Sequence, residues 1–154
     1  MACVTTVAQL LKLYALGDRN FRQSSLRGAN LKQVCLRGIN LSGSDLGGGV
    51  DLSAGDLCSA NLCGADLNDA NLSSTLLRRA SLIEADLFGV TLHGADFQEA
   101  VLNGADLRNA RLQGCNFTRA RYTSNTRFPP GFDPAGAGMI ELRLPLRGVL
   151  TIAR

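Results

Sequence analysis

Ala65-Asp66-Leu67-Asn68-Asp69 runs directly into Ala70-Asn71-Leu72-Ser73-Ser74, and the same small, polar, leucine order returns at Ala85-Asp86-Leu87 and Ala105-Asp106-Leu107. Stepping outward by five from Leu67 meets Leu62, Leu57 and Leu52 on one side. On the other side the series is unbroken through Phe97 and Phe117 to Tyr122. Below Leu52 one residue is added within Gly47-Gly48-Gly49, after which the step resumes at Leu46 and continues down to Phe21. The register holds 21 centres, 17 of them Leu. Two residues before the centre 11 of 21 are Ala, and one residue before it 16 of 21 are Asn, Asp, Ser or Thr, so the consensus is Ala-[Asp/Asn]-Leu-x-x.

A period of five suits neither regular element. A helix turns about 100° per residue, so leucines five apart spiral around it and share no face. A short straight segment followed by a corner satisfies the pattern: the centre and the small residue two before it point inward, as on a strand, and the polar residue between them points outward. No single unit buries its own leucine, whereas stacked units bury a continuous column. The chain is expected to be an all-β solenoid.

The repeat also accounts for the composition. Charged residues make up 19% of the 154, against roughly 25% in a typical soluble domain. No stretch approaches about 18 uninterrupted apolar residues, so no membrane partner is expected. Five irregularly placed cysteines argue against a disulfide framework and for a reducing compartment. The apolar segment 1–17 lacks a basic start and a cleavage site, and Lys12 interrupts it. A cytoplasmic protein is the expectation.

The Ala-[Asp/Asn]-Leu-x-x series over residues 19–124 resembles the pentapeptide repeat family. The resemblance implies a right-handed quadrilateral β-helix with 20 residues per coil, hence about five coils and a rod of roughly 25 Å at strand-like spacing. The ends are similar to those of the family's compact, cyanobacterial-type members. Residues 1–18 are read as a capping helix: Thr5 or Thr6 caps Val7 to Leu16, with Val7, Leu10, Leu11 and Tyr14 on one face and Gly17 as the stop. Residues 125–154 are read as a C-terminal cap and tail that leave the repeat at Thr126. There Phe128 and Phe132 plug the last coil, and Asp133-Pro134 starts a short helix weakened by Gly136 and Gly138. Residues 139–154 show no clear period.

Nothing in the repeat assembles a catalytic or metal-binding constellation. One coil away from His93 stand Ser73 and Gln113, neither of them an acid nor a thiol. Cys58 and Cys63 both follow a centre and point outward from adjacent faces about 90° apart, a poor disulfide geometry. Cys115 takes the small inward position. No four ligands converge for zinc. The triple glycine lacks the Lys-Ser/Thr of a phosphate loop and reads as a bulge. The expectation is no enzyme, no metal and no cofactor.

Charge is banded along the chain. Residues 22–37 carry Arg22, Arg27, Lys32 and Arg37 and no acid. Residues 45–106 carry ten acids against Arg78 and Arg79, and residues 108–127 carry five arginines and no acid. Asp45, Asp66, Asp86 and Asp106 are expected to stack on one face at coil spacing. They are the candidate partner-binding residues, because stacked carboxylates repel one another and call for use or compensation. The plainer reading is that Asp and Asn stand before the centre to bond nearby backbone N–H groups. A rigid scaffold for a protein partner is the leading expectation. The resemblance implies an alternative, the DNA mimics of the family that occupy DNA gyrase. The chain departs from those mimics in its basic ends, its net charge of +3 and its lack of an obvious dimerising helix. Direct nucleic-acid binding is not expected, since no aromatic platform accompanies the arginines.

Overall fold

The computed structural model describes residues 3–143. From the second coil on, the residue before each centre makes both of its backbone bonds to the preceding coil: Asp86 N donates to Ala65 O (2.9 Å), and Asp86 O accepts from Leu67 N (2.8 Å). Repeated through the chain, these parallel bridges form four columns. The first runs Asn20, Asn40, Asn61, Ser81, Val101, Arg121; the second Ser25, Asp45, Asp66, Asp86, Asp106, Arg127. The third runs Asn30, Asp51, Asn71, Thr91, Arg111, and the fourth Cys35, Asp56, Leu76, Asp96, Asn116. Between columns the chain turns a corner. The centre's carbonyl accepts from the N–H three residues on, as in Ala65 N to Leu62 O at 3.1 Å. The residue two after the centre takes a left-handed conformation, for example Glu84 at φ 56°. Straight segments this short leave two extended strands among the described residues, β1 (Arg121–Tyr122) and β2 (Ile140–Glu141), paired in parallel.

Inside the coils, the centres from Phe21 to Leu107 are at most 2% exposed, and the small residues beside them complete the core. Where the small position holds a hydroxyl, a centre's carbonyl satisfies it: Ser24 uses Phe21 O of its own coil (2.7 Å), and the later ones use the preceding coil. Thr75 Oγ1 donates to Leu52 O at 2.9 Å, and Thr126 Oγ1 to Leu102 O at 2.9 Å. A buried polar atom at this position is therefore paired rather than stranded.

Helix α1 (Val7–Ala15) precedes the first coil. Thr6 is its N-cap, with Oγ1 accepting from Gln9 N at 3.2 Å. Gly17, at φ 102°, ends it in a Schellman turn: Gly17 N donates to Tyr14 O and Asp18 N to Leu13 O. Leu10 is fully buried in the coil core, with Val7, Leu13 and Tyr14 against it, while Leu11 is 39% exposed. The buried stripe is thus rotated toward Leu13 relative to the expected face. Tyr14 Oη donating to Arg37 O (2.9 Å) sets the helix's orientation on the coil.

The other end differs from expectation in two respects. The repeat does not stop at Ser124. Arg127 N donates to Ala105 O and Leu107 N to Arg127 O, the same pair of bonds that every earlier rung makes. A second extra residue, within 123–126, hides this register from a count by fives. Second, Asp133-Pro134 opens a turn and not a helix. Asp133 Oδ1 accepts from Ala135 N (3.1 Å) and Asp133 O from Ala137 N (3.0 Å), but the chain then passes through Gly138 at φ 78° into β2. Gly136 and Gly138 are too costly for helix propagation. Phe132 meets Phe117 edge-on (centroids 5.5 Å), and Phe128 meets Tyr122 (5.6 Å). Of the segment 139–154, residues 144–154 lie outside the described residues. No helix among the described residues is long and apolar enough to cross a membrane.

Candidate binding face

The second column stacks Asp45 on Asp66, Asp66 on Asp86 and Asp86 on Asp106, with Ser25 before them and Arg127 after. Each aspartate first serves its own corner. Oδ1 accepts from the backbone N–H two residues on: Gly47 N to Asp45 (3.2 Å), Asn68 N to Asp66 (3.0 Å), Phe88 N to Asp86 (3.0 Å) and Arg108 N to Asp106 (3.1 Å). Asn61, Asn71 and Asn116 make the same bond at 3.0–3.1 Å on other faces. The corner therefore needs the acceptor oxygen and not the charge.

Charge is compensated at the two ends of the column. Arg27 Nη1 lies 3.4 Å from Asp45 Oδ1 and 3.9 Å from Asp66 Oδ2. At the far end Asp106 is held by two arginines. Arg108 bonds it through Nη2 (2.6 Å) and Nε (2.9 Å), and Arg127 Nη1 stands 3.5 Å away. The Arg108 bond holds the Asp106 carboxyl below its ordinary range, and Asp106 raises Arg108 in turn. Asp86 is exposed and has no cation within ion-pair distance among the described residues. Beside it Phe88 is 39% exposed, with the Arg108 guanidinium 5.8 Å from its ring.

Arg27, Arg127 and Phe88 are the participants that residue counting missed. The signal for Arg27 is a fixed offset. A residue after a centre meets the residue before a centre one coil on, as Arg37 meets Asp56 (2.9 Å) and Arg78 meets Asp96 (3.9 Å).

Other residues singled out by type sit apart from this face. His93 O and Gln113 O continue one ladder, accepting from Ser74 N and Gly94 N. All five cysteines are free. Cys58 does not present an exposed thiol as its position implied; it is buried in a shallow groove with Arg37, Leu76 and Arg78, and that burial raises its thiol. Cys115 is pushed up to about 11 by burial and donates to Leu92 O at 3.0 Å. No metal-ligating cluster occurs among the described residues.

The family model for pentapeptide repeats matches residues 16–43, 48–82 and 85–121 in 8 copies. No curated protein matches the chain. Among solved structures, the pentapeptide repeat protein alr5209 from Nostoc PCC 7120 is 37% identical, with 92% of this chain and 100% of that one covered and a TM-score of 0.48. HetL from Nostoc sp. PCC 7120, a pentapeptide repeat protein involved in heterocyst differentiation regulation, is 32% identical. There 81% of this chain and 57% of HetL are covered, with a TM-score of 0.55. QnrB1, a plasmid-mediated fluoroquinolone resistance protein, is 16% identical over 79% of this chain and 84% of its own, with a TM-score of 0.33. The chain belongs to the pentapeptide repeat family, whose fold is the quadrilateral β-helix.

Proposed function

We propose that this protein is a non-enzymatic cytoplasmic scaffold that binds a protein partner through its acidic column, with Asp66 and Asp86 at the centre of the contact. It is a right-handed rod of about five coils, covered by α1 at one end and by the Phe132 turn over part of the other. The observation that carries the reading is the surplus of charge over structural need. Asparagine makes the same corner bond at Asn61 and Asn71, yet positions 66 and 86 hold carboxylates stacked on one another. Repulsion between neighbouring rungs weakens the coil; Arg27 offsets it at the Asp45–Asp66 step, and a partner's positive charge is what offsets it around Asp86. A rigid face also loses little ordering entropy on binding. HetL's part in regulation is in keeping with a protein that works by binding.

The test is affinity capture from a lysate of the source organism with wild type and Asp66→Arg/Asp86→Arg as parallel baits. A protein retained by the first and lost by the second supports the reading; equal retention refutes it. The alternative, DNA mimicry directed at DNA gyrase, is favoured by the four-carboxylate stack alone. Duplex DNA carries a charge every 1.7 Å or so, and here both end rungs are neutralised by arginine. A supercoiling assay decides it: inhibition at micromolar protein establishes mimicry, and none removes it.

A further inference from the structure

The third column ends at Arg111 with its next rung missing. In every completed rung of this column the residue above supplies two backbone bonds. Arg111 itself does so for the coil beneath, donating to Val90 O (3.0 Å) and accepting from Leu92 N (3.0 Å). One coil further on, the equivalent groups are Ala110 O and Leu112 N, and among the described residues neither has a backbone partner. The chain passes close by without closing the gap. Residues 129–132 form the opposite wall of a groove of about 320 Å³ floored by Ala110, Leu112 and Gln113. Two of those wall residues, Pro129 and Pro130, have no N–H to offer the open carbonyl.

Two side chains state what the missing rung should carry. Leu112 is only half-buried, whereas Leu52, Leu72 and Leu92 beneath it are fully buried, so its upper side still lacks an apolar neighbour. Arg111 is exposed and has no carboxylate within ion-pair distance among the described residues. In the second column the vertical neighbours Asp106 and Arg127 pair at 3.5 Å, so stacked rungs of opposite charge do meet in this fold.

We propose that this edge takes up an extended segment of another protein carrying a small–acidic–apolar triplet, added in parallel as the next rung of the third column. The acidic residue's N–H donates to Ala110 O and its C=O accepts from Leu112 N. Its carboxylate faces Arg111, and the apolar residue that follows covers Leu112. This is strand addition to an unpaired edge, in which backbone bonds supply attraction and alternate side chains supply selectivity. It is separate from the acidic column and does not depend on its role.

The test uses the full-length chain labelled with ¹⁵N and an acetylated, amidated peptide Ser-Gly-Ala-Asp-Leu-Ser-Gly as probe. Expected are shifts concentrated at residues 110–113 at peptide concentrations up to about 5 mM, with hydrogen exchange at the Leu112 amide slowed about tenfold. A peptide with Lys in place of Asp binds at least about fivefold more weakly to wild type, and Arg111→Glu reverses that preference. Methylating the Asp nitrogen of the peptide abolishes binding. The proposal is overturned by no shift at 5 mM, by shifts elsewhere, or by a methylated peptide that binds equally well. It is overturned too if the Leu112 amide is already protected without peptide. Protection independent of protein concentration means that residues 144–154 fill the edge, and protection that grows with concentration means that a second copy does.

Discussion

Arg27 reaches across the Gly47–Gly48 corner to place Nη1 3.4 Å from Oδ1 of Asp45, 18 positions further along the chain. The same diagonal joins Arg78 to Asp96, and with one inserted residue Arg37 to Asp56. In a solenoid such offsets act as the i,i+4 rule does in a helix: they name the side chains that meet across coils. Both partners of the Arg27 pair are substantially exposed, so the ion pair contributes less than about 1 kcal/mol.

Arg27 also lies over the inserted glycines, which makes the corner testable by a double-mutant cycle. A Cβ at Gly48 would stand 2.9 Å from Arg27 Cγ and Nε, and Gly48 has a φ of 63°. Gly48→Ala is expected to cost about 1–2 kcal/mol from the left-handed backbone alone, with a further steric share. In an Arg27→Ala background the steric share vanishes, so denaturant melts of the four proteins should show a coupling of at least about 0.5 kcal/mol. Strict additivity would place the Arg27 side chain elsewhere.

Leu82 is fully buried in a middle coil. Leu82→Ala is expected to cost about 2–5 kcal/mol, and Leu82→Asp to abolish cooperative folding by burying an unpaired charge. A circular-dichroism melt of Leu82→Asp that matches wild type would remove the leucine column as the source of stability.

Acid stability should depend on Asp106. Its folded-state carboxyl is lowered, first by the Arg108 bond. A depressed folded pKa contributes stability that is complete above the unfolded value of about 3.9 and is lost as pH falls through the folded value. Asp106→Asn keeps the acceptor for the Arg108 N–H and removes the titration. The variant is therefore expected to be less stable than wild type at pH 7 and to converge with it as pH falls through the lowered folded-state value of Asp106. A difference that persists unchanged at pH 2 would assign the effect to packing.

Thiol chemistry should rank with exposure. Cys3 and Cys35 are exposed, while Cys115 is half-buried and pushed up to about 11. Iodoacetamide at pH 8 is expected to modify Cys3 and Cys35 first and Cys115 only on unfolding, as read by peptide mass spectrometry. Early labelling of Cys115 would contradict its inward placement.

Much of this architecture is legible without coordinates because each pentapeptide obeys local rules. Leu62, Leu67 and Leu72 declare the core column, Ala65 and Ala70 the space beside it, Gly17 the end of α1, and Thr5 or Thr6 its start, which the structure assigns to Thr6. The stacking of Asp45, Asp66, Asp86 and Asp106 follows from arithmetic once the insertion at Gly47–Gly49 is located. What arithmetic misses is what a second insertion or a long side chain decides. An extra residue within 123–126 conceals that Arg127 is the next rung after Asp106. The guanidinium of Arg27 crosses between coils, and its partner is visible only when both coils are in place. Asp133-Pro134 has the signature of a helix start, but Gly136 and Gly138 halt it after one turn. Leu11 has the spacing of a buried residue, yet the stripe rotates toward Leu13.

The most direct measurement of the central claim, that Asp66 and Asp86 carry charge for a partner and not for the coil, uses Asp66→Asn/Asp86→Asn. The pair of asparagines keeps both corner bonds, to Asn68 N and Phe88 N, and removes both charges. The dissociation constant of the captured partner should rise at least about tenfold, 1.4 kcal/mol, while thermal stability is equal to or above wild type. Unchanged affinity, or a loss of stability beyond about 1 kcal/mol, would contradict the claim and make the column a device of the fold alone.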